Sequence, residues 1–498
     1  MEKFGPHIAH TIDHIIASSG FLITEITIAI TFLLSIVTSL FFEKKYKNST
    51  FFITIIGFII AIASLIPQLE QTVDGFFGMI KIDNYSIYGR LIILFGSIIT
   101  AIFLQQHFKN KNFNKKLADV YTILLAATLG LSLLTITTHW LLVFISIETI
   151  SLASYVLVGY FSENKKQSEA SVKYVLFGSA CAAMMLYGLS LLYGFTGNLD
   201  FSSALHIQGL ISAPKILCSV AILFLFAGIG FKLSFAPFHV WSPDVYEGAP
   251  TPITAFLSTV PKVAVMILFS RLCASWLETF FYFSELTFFL LVLIAIVTMV
   301  VGNFVALRQD NLKRLMAYSS IGHTGFLLMG VLAYYQQNSE ALLFYMAIYV
   351  IMNFAAFLYI DYLEKRVGDV SLDSFKGLGK KFPFTFVGFS IIGISLIGLP
   401  PTAGFIGKFF IFSNVFELYS NGSELAFLLL LIVGAITTVV SLFYYLKIPL
   451  FAFLKEGKNH DQLTESFTYQ NCLAFIFCIL VILLGIFPNL LLSNLKLL

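Results

Sequence analysis

Apolar stretches of about twenty residues recur along the 498-residue chain, and this pattern confines it to a membrane. A helix needs ~20 apolar residues to cross the hydrocarbon core, whereas a barrel strand needs only ~9–11. The runs fall near 21–42, 50–67, 85–104, 117–137, 140–161, 169–194, 215–238, 250–275, 282–306, 312–334, 341–363, 383–419, 425–447 and 470–494. The run at 383–419 is too long for one straight helix and carries Pro400-Pro401 near its middle, so it counts as one broken span. The prediction is therefore an all-α, polytopic transmembrane bundle of about fourteen helices. Composition closes the alternatives. Charged residues make up 11% of the chain, against ~25% in soluble domains, so they cannot solvate a globular surface. At 58% hydrophobic residues it is equally unsuited to disorder. A net charge of +3 is too small to imply nucleic acid.

Lysine and arginine orient the bundle. Twenty of the 30 fall in alternate loops, those near residues 44–47, 109–116, 165–166, 308–314, 365–381 and 447–458. Only five (Lys3, Lys81, Lys215, Arg271 and Lys496) fall on the opposite side, termini included. The richer side is expected to be cytoplasmic, with both termini periplasmic. Residues 1–20 contain Glu2, Asp13 and three histidines and lack the apolar core of a cleavable signal peptide. Cys181, Cys218, Cys273, Cys472 and Cys478 all lie in apolar runs without CxxC spacing, and are expected to be small buried hydrophobes. No loop is long enough for a cofactor-binding domain.

The remaining five cations lie within spans, where an ionised side chain costs ~2.5–3.5 kcal/mol and by default marks a pathway. Counting ~1.5 Å per residue puts Glu148, Lys232, Lys262 and His323 near the middle third of spans 5, 7, 8 and 10. Lys408 sits just past the break of span 12. Lys173 is about one turn inside span 6 and close enough to the surface to snorkel. Arg90 is placed near an outer end. A structural staple needs one acid and one base. Here one midplane acid faces three amines and an imidazole, which is costly unless some are neutral or protons come and go. A lysine whose pKa crosses neutrality can load and release a proton, and a mobile carboxylate can drive that crossing. For His323 alone, a hydrogen-bonded core histidine and a proton relay remain equally open.

Two spans combine a lysine with helix breakers. Span 7 reads Gly228-Ile-Gly230-Phe-Lys232-Leu-Ser-Phe-Ala-Pro237, and span 12 reads Gly398-Leu-Pro400-Pro401-Thr-Ala-Gly404-Phe-Ile-Gly407-Lys408. By the loop count they run in opposite directions. Paired interrupted helices in inverted halves point to an ion site. The expected organisation is three leading helices (1–116), a five-helix repeat (117–275), a second, inverted repeat (282–447), and a loop with a last helix (448–498). Gly407-Lys408 is not a phosphate-binding loop, because Thr402 stands where its first glycine belongs and Phe409 where it needs Ser or Thr. With one midplane histidine, bis-histidine haem ligation is not expected.

The segment Gly230-Phe-Lys232-Leu-Ser-Phe-Ala-Pro237-Phe-His239-Val-Trp241-Ser-Pro243-Asp244-Val-Tyr-Glu247-Gly248-Ala-Pro250-Thr251-Pro252 resembles the signature of the antiporter-like membrane subunits of respiratory complex I, the NADH–quinone oxidoreductase, and of multisubunit cation/proton antiporters. Ser258-Thr-Val-Pro261-Lys262, Ala317-Tyr318-Ser-Ser-Ile-Gly-His323 and the Gly398–Lys408 segment extend the likeness over most of the chain. Within the family, an end near span 14 departs from the large subunit with its long lateral helix, and Lys408 departs from the subunit with glutamate there. The resemblance implies a proton-translocating subunit of an NADH:quinone oxidoreductase in a bacterial inner membrane, without a redox centre of its own. Glu148 and Lys232 would form a channel pair, Lys262 the connecting lysine and Lys408 the exit, with His323 on the axis between them and Lys173 a more peripheral candidate. Partners would be the other membrane subunits and, through them, a peripheral arm; NADH, FMN, iron–sulfur clusters and quinone would bind to partner subunits, and membrane lipid would surround the chain. The alternatives are a Mrp-type cation/proton antiporter subunit and a scaffold whose charges are structural.

Overall fold

A backbone crossing hydrocarbon must satisfy its own N–H and C=O groups, and helix is how this chain does so. The computed structural model describes residues 5–43, 46, 48–109, 116–162, 164–334, 340–422, 424–457 and 464–495. In chain order, α1 (Gly5–Ser19), α2 (Ile23–Phe41) and α3 (Ser49–Leu65) precede a hairpin of β1 (Val73–Gly75) and β2 (Ile80–Ile82). Then come α4 (Asn84–Phe108), α5 (Leu117–Ile136), α6 (Trp140–Gly159), α7 (Lys165–Thr196), α8 (Ala204–Ser212), α9 (Lys215–Leu233), α10 (Trp241–Gly248) and α11 (Thr251–Leu277). The rest are α12 (Tyr282–Ala306), α13 (Leu312–Tyr334), α14 (Glu340–Val367), α15 (Pro383–Ile397), α16 (Ala403–Gly422), α17 (Leu425–Pro449), α18 (Tyr469–Ile486) and α19 (Asn489–Leu495).

Among the described residues, thirteen helical segments are long and apolar enough to cross a membrane. The α15–α16 pair fills the broken run at 383–419, which accounts for the fourteen expected crossings. The first segment begins at Thr11, ten residues earlier than its apolar run suggested, because α1 leads into α2 through a short 3-10 turn. Lys3, Lys44, Lys45, Lys47, Lys111, Lys115, Lys458 and Lys496, all used in the charge count, lie outside the described residues.

The helices form a sleeve around a sealed centre. The most apolar window of α11 is buried along its whole length, and α13 and α14 are nearly so, whereas α2, α3, α7, α17 and α18 leave most of theirs facing outward. α11 packs on α4, α13 and α14, and α12 lies along α13. That last contact is close: a Cβ on Gly302 would fall 2.3 Å from the Gly322 nitrogen. Small residues let membrane helices approach in this way. Pro261 leaves α11 continuous.

Both predicted breaks are present. α9 ends at Ser234 in the left-handed region (φ 56°), and α15 ends at Gly398 (φ 89°). Each is followed by a cis peptide bond, Ala236-Pro237 and Pro400-Pro401. The backbone groups released there are taken up by side chains. The Ala236 N–H donates to Thr298 on α12 (3.0 Å), and Trp241 Nε1 donates to the Phe231 carbonyl (3.0 Å). At the second break, the Gly404 N–H donates to the Ser395 hydroxyl (3.1 Å).

One placement gains detail and one expectation needs correcting. Arg90 lies early in α4, near an end of its span as expected, and is fully buried there, paired with Glu25 (3.3 Å) and bonded to Gln68 (3.0 Å). Ser132 also donates to Glu25 (2.6 Å), so this is a polar tie joining α2, α4 and α5. Cys472 is exposed, while the other four cysteines are buried; all five are free thiols.

Candidate functional site

Five of the six candidates lie in one internal polar system, and the central helices explain how. α13 carries Ser319, Ser320, His323 and Thr324 within two turns, so its hydroxyls and imidazole serve several neighbours at once. Lys262, on the enclosed α11, donates to the Ser320 carbonyl (2.9 Å), the Ser320 hydroxyl (2.7 Å) and the Thr324 hydroxyl (2.8 Å). All three ammonium donors are thus engaged by neutral oxygens.

From Lys262 the system extends both ways. Toward the first break, the Thr324 hydroxyl lies 3.0 Å from the carbonyl of Leu233, the residue after Lys232. Lys232 is in the last turn of α9, just before the break, and its side chain is buried. Among the described residues its Nζ has no hydrogen-bond partner, and it lies 5.4–5.9 Å from the ring centres of Phe231, Tyr155 and Tyr174. Glu148, on α6, interacts electrostatically with Lys232 without a direct hydrogen bond, and its Oε1 likewise has no partner among the described residues. Acid and amine are near enough to feel each other's charge, yet not locked into a staple.

Toward the second break, Ser320 meets the Tyr349 hydroxyl (2.8 Å), which also donates to the Ser258 carbonyl (2.9 Å). The His323 ring lies 5.4 Å from that of Tyr349. Its Nδ1 is 2.7 Å from the Tyr345 hydroxyl and its Nε2 is 3.3 Å from that of Tyr445, which also bonds Ser319. His323 is within electrostatic reach of both Lys262 and Lys408. Tyr345 packs on Gly407, where a Cβ would come 2.8 Å from the ring. The next residue, Lys408, donates to the carbonyls of Leu396 (3.0 Å) and Ile397 (2.8 Å) and sits 4.7 Å over the Phe326 ring. It caps the exposed carbonyl end of α15, where the helix dipole favours a cation.

Lys173 is not in this system. It is 46% exposed and pairs with Asp244 (2.6 Å) and Glu169 (2.7 Å). Asp244 and Glu247, both in the signature segment, also receive Arg314 of α13 (2.6 and 3.1 Å), and Glu247 receives Lys166 (2.9 Å). Burial pushes both carboxylates up, but hydrogen bonds and charge from these cations outweigh it and hold them below the ordinary carboxylate range. The cluster clamps α10, beyond the first break, to the start of α13. Sequence reasoning missed it, along with Ser320, Thr324, Tyr345, Tyr349 and Tyr445. Arg314 was visible only as a loop cation, and hydroxyl residues carry no spacing that separates a relay from ordinary core. Among the described residues, no group of three His, Cys, Asp or Glu side chains is placed to hold a metal ion.

A helical bundle with two interrupted helices and an enclosed row of ionisable side chains defines an antiporter-like membrane protein. Residues 137–441 match the profile of the NADH:quinone oxidoreductase/Mrp antiporter transmembrane family, and the chain belongs to that family. A relative from Chlorobium chlorochromatii, named NADH-quinone oxidoreductase subunit N, is 34% identical over 97% of this chain and 94% of its own length. A chain of Thermus thermophilus respiratory complex I superimposes with a TM-score of 0.77 at 29% identity, covering 95% of this chain and 99% of that one. A chain of the Mrp complex from Dietzia sp. DQ12-45-1b shares the fold (TM-score 0.78; 95% and 96% covered) at 18% identity.

Proposed function

We propose that the chain is the proton-translocating N-type membrane subunit of a bacterial NADH–quinone oxidoreductase. The observation that carries this reading is the row from half-buried Glu148 and buried Lys232 through Thr324, Lys262 and Ser320 to His323 and Lys408, set between two broken helices. Glu148 and Lys232 would exchange charge at the first break, Lys262 and His323 would pass the proton inward, and Lys408 would release it at the second. The similarly built breaks fit two five-helix repeats at 117–275 and 282–447. In this reading the electrons pass through partner subunits that bind NADH, FMN, iron–sulfur clusters and quinone, and this chain acts as the translocase part of the complex. Both termini would face the periplasm across the inner membrane.

Glu148→Gln tests the reading in inner-membrane vesicles energised by NADH, with assembly followed on native gels. Proton uptake should fall sharply in an assembled complex, and Glu148→Asp should be milder because the charge is kept on a shorter stem. Normal uptake with Glu148→Gln removes the role. A Mrp-type antiporter subunit is the weaker alternative; it would exchange protons against a sodium gradient without NADH.

A further inference from the structure

At one end of the bundle, the C-termini of α4 and α14 and the N-terminus of α18 enclose a cavity of about 310 Å³ that the proton row does not use. Its walls include Lys109, Lys365 and Arg366, with Tyr362 and Tyr469, and among the described residues no carboxylate lines it. Asp361 is buried and already bonded to His107 (2.5 Å), Gln470 (2.5 Å) and the lining residue Lys365 (3.0 Å). Lys365 and Arg366 are exposed at their outer ends, and the Arg366 guanidinium lies 5.7 Å over the Tyr362 ring. The opening turn of α18 contributes Thr468, Tyr469 and Gln470, and the first N–H groups of a helix point out of its N-terminus toward anions. With Lys365 held by Asp361, Lys109 and Arg366 give the cavity beside this helix N-terminus a positive lining with room for a phosphate group.

What adjoins the cavity indicates the source of the phosphate. Cys472, Ile476, Ile479, Leu483 and Ile486 of α18 are all exposed and share one helical face. That stripe descends from the cavity for ~20 Å at 1.5 Å per residue, the scale of an acyl chain in one leaflet. Basic pockets between membrane helices bind acidic headgroups. We propose that the cavity binds a phosphate-bearing anion, and that this anion is the headgroup of an acidic phospholipid whose chain lies along α18.

The test uses the whole detergent-solubilised complex, exchanged into mixed micelles of phosphatidylglycerol and phosphatidylcholine and examined by native mass spectrometry. Lys109→Gln/Arg366→Gln leaves the Lys365–Asp361 pair intact. This double variant should assemble normally and retain several-fold less phosphatidylglycerol than the parent. Lys380→Gln/Lys447→Gln, with the same change in net charge elsewhere, should retain the parental amount. Millimolar inorganic phosphate should displace little of the lipid. Equal lipid retention by the double and parental complexes overturns the site. Binding of inorganic phosphate with no preference for phosphatidylglycerol over phosphatidylcholine overturns the lipid assignment.

Discussion

The ammonium of Lys262 lies 2.8 Å from the hydroxyl of Thr324, and that hydroxyl is 3.0 Å from the carbonyl next to Lys232. One side chain of α13 therefore joins the enclosed lysine to the first broken helix. A hydrogen bond to a charged group is worth ~1.5–3 kcal/mol, and 1.4 kcal/mol is about tenfold in rate. Thr324→Val should slow NADH-driven proton uptake by ~10-fold while the complex assembles, and Thr324→Ser should restore most of it. Uptake by the valine variant equal to that of the parent would show that the hydroxyl carries nothing.

Lys232 distinguishes a proton carrier from a staple. Arginine keeps the charge and the approximate reach but does not deprotonate, with a pKa above ~12. Lys232→Arg should reduce uptake nearly as much as Lys232→Ala. If arginine supports full pumping and only alanine fails, the side chain is structural.

The surface clamp has its own pH signature. Asp244 and Glu247 are held below the ordinary carboxylate range, so the folded chain gains from their ionisation. That gain is complete above the unfolded values of ~3.9 and ~4.3, and is lost as pH falls through the lower folded values. The half-exposed pairs to Arg314 are worth ~0.2–1 kcal/mol each. Arg314→Gln should lower the unfolding temperature by a small amount that is constant from pH 8 to ~5 and vanishes only below ~4. A difference that vanishes near neutrality would contradict the assignment.

Topology is open to a direct check. Alkaline phosphatase fused after the C-terminus should be active, and fusions within residues 107–116 should be inactive. Residues 110–115 and 496–498 lie outside the described structure, so this assignment rests on the charge bias. The opposite activities would invert the bundle.

Most of the architecture was legible because membrane spans advertise themselves over twenty residues, and because proline and glycine mark where a helix stops. The five ionisable residues within the spans stood out because charge is rare in such company. Depth was harder to read. The burial of Arg90 was not legible, because a position counted along an apolar run does not show the polar partners that let α4 enclose it. Cys472 was misread because an apolar run serves both the core and the outward face. Tyr345 and Tyr349 carry no signal of their own in the sequence; only the packing of α14 against α13 reveals that their hydroxyls meet His323 and Ser320. The short α8 and α10 lack the length that makes a period visible.

The enclosure of α11 separates two environments within one chain. The surroundings of Lys262 are supplied by α4, α13, α14 and their neighbours. Bilayer thickness, headgroup charge and fluidity act on the outward faces of α2, α7 and α17, while the polarity felt by the central lysine is fixed by the protein. The energetics of that step travel with the molecule, so a change of lipid that loosens the sleeve leaves the setting of Lys262 as before.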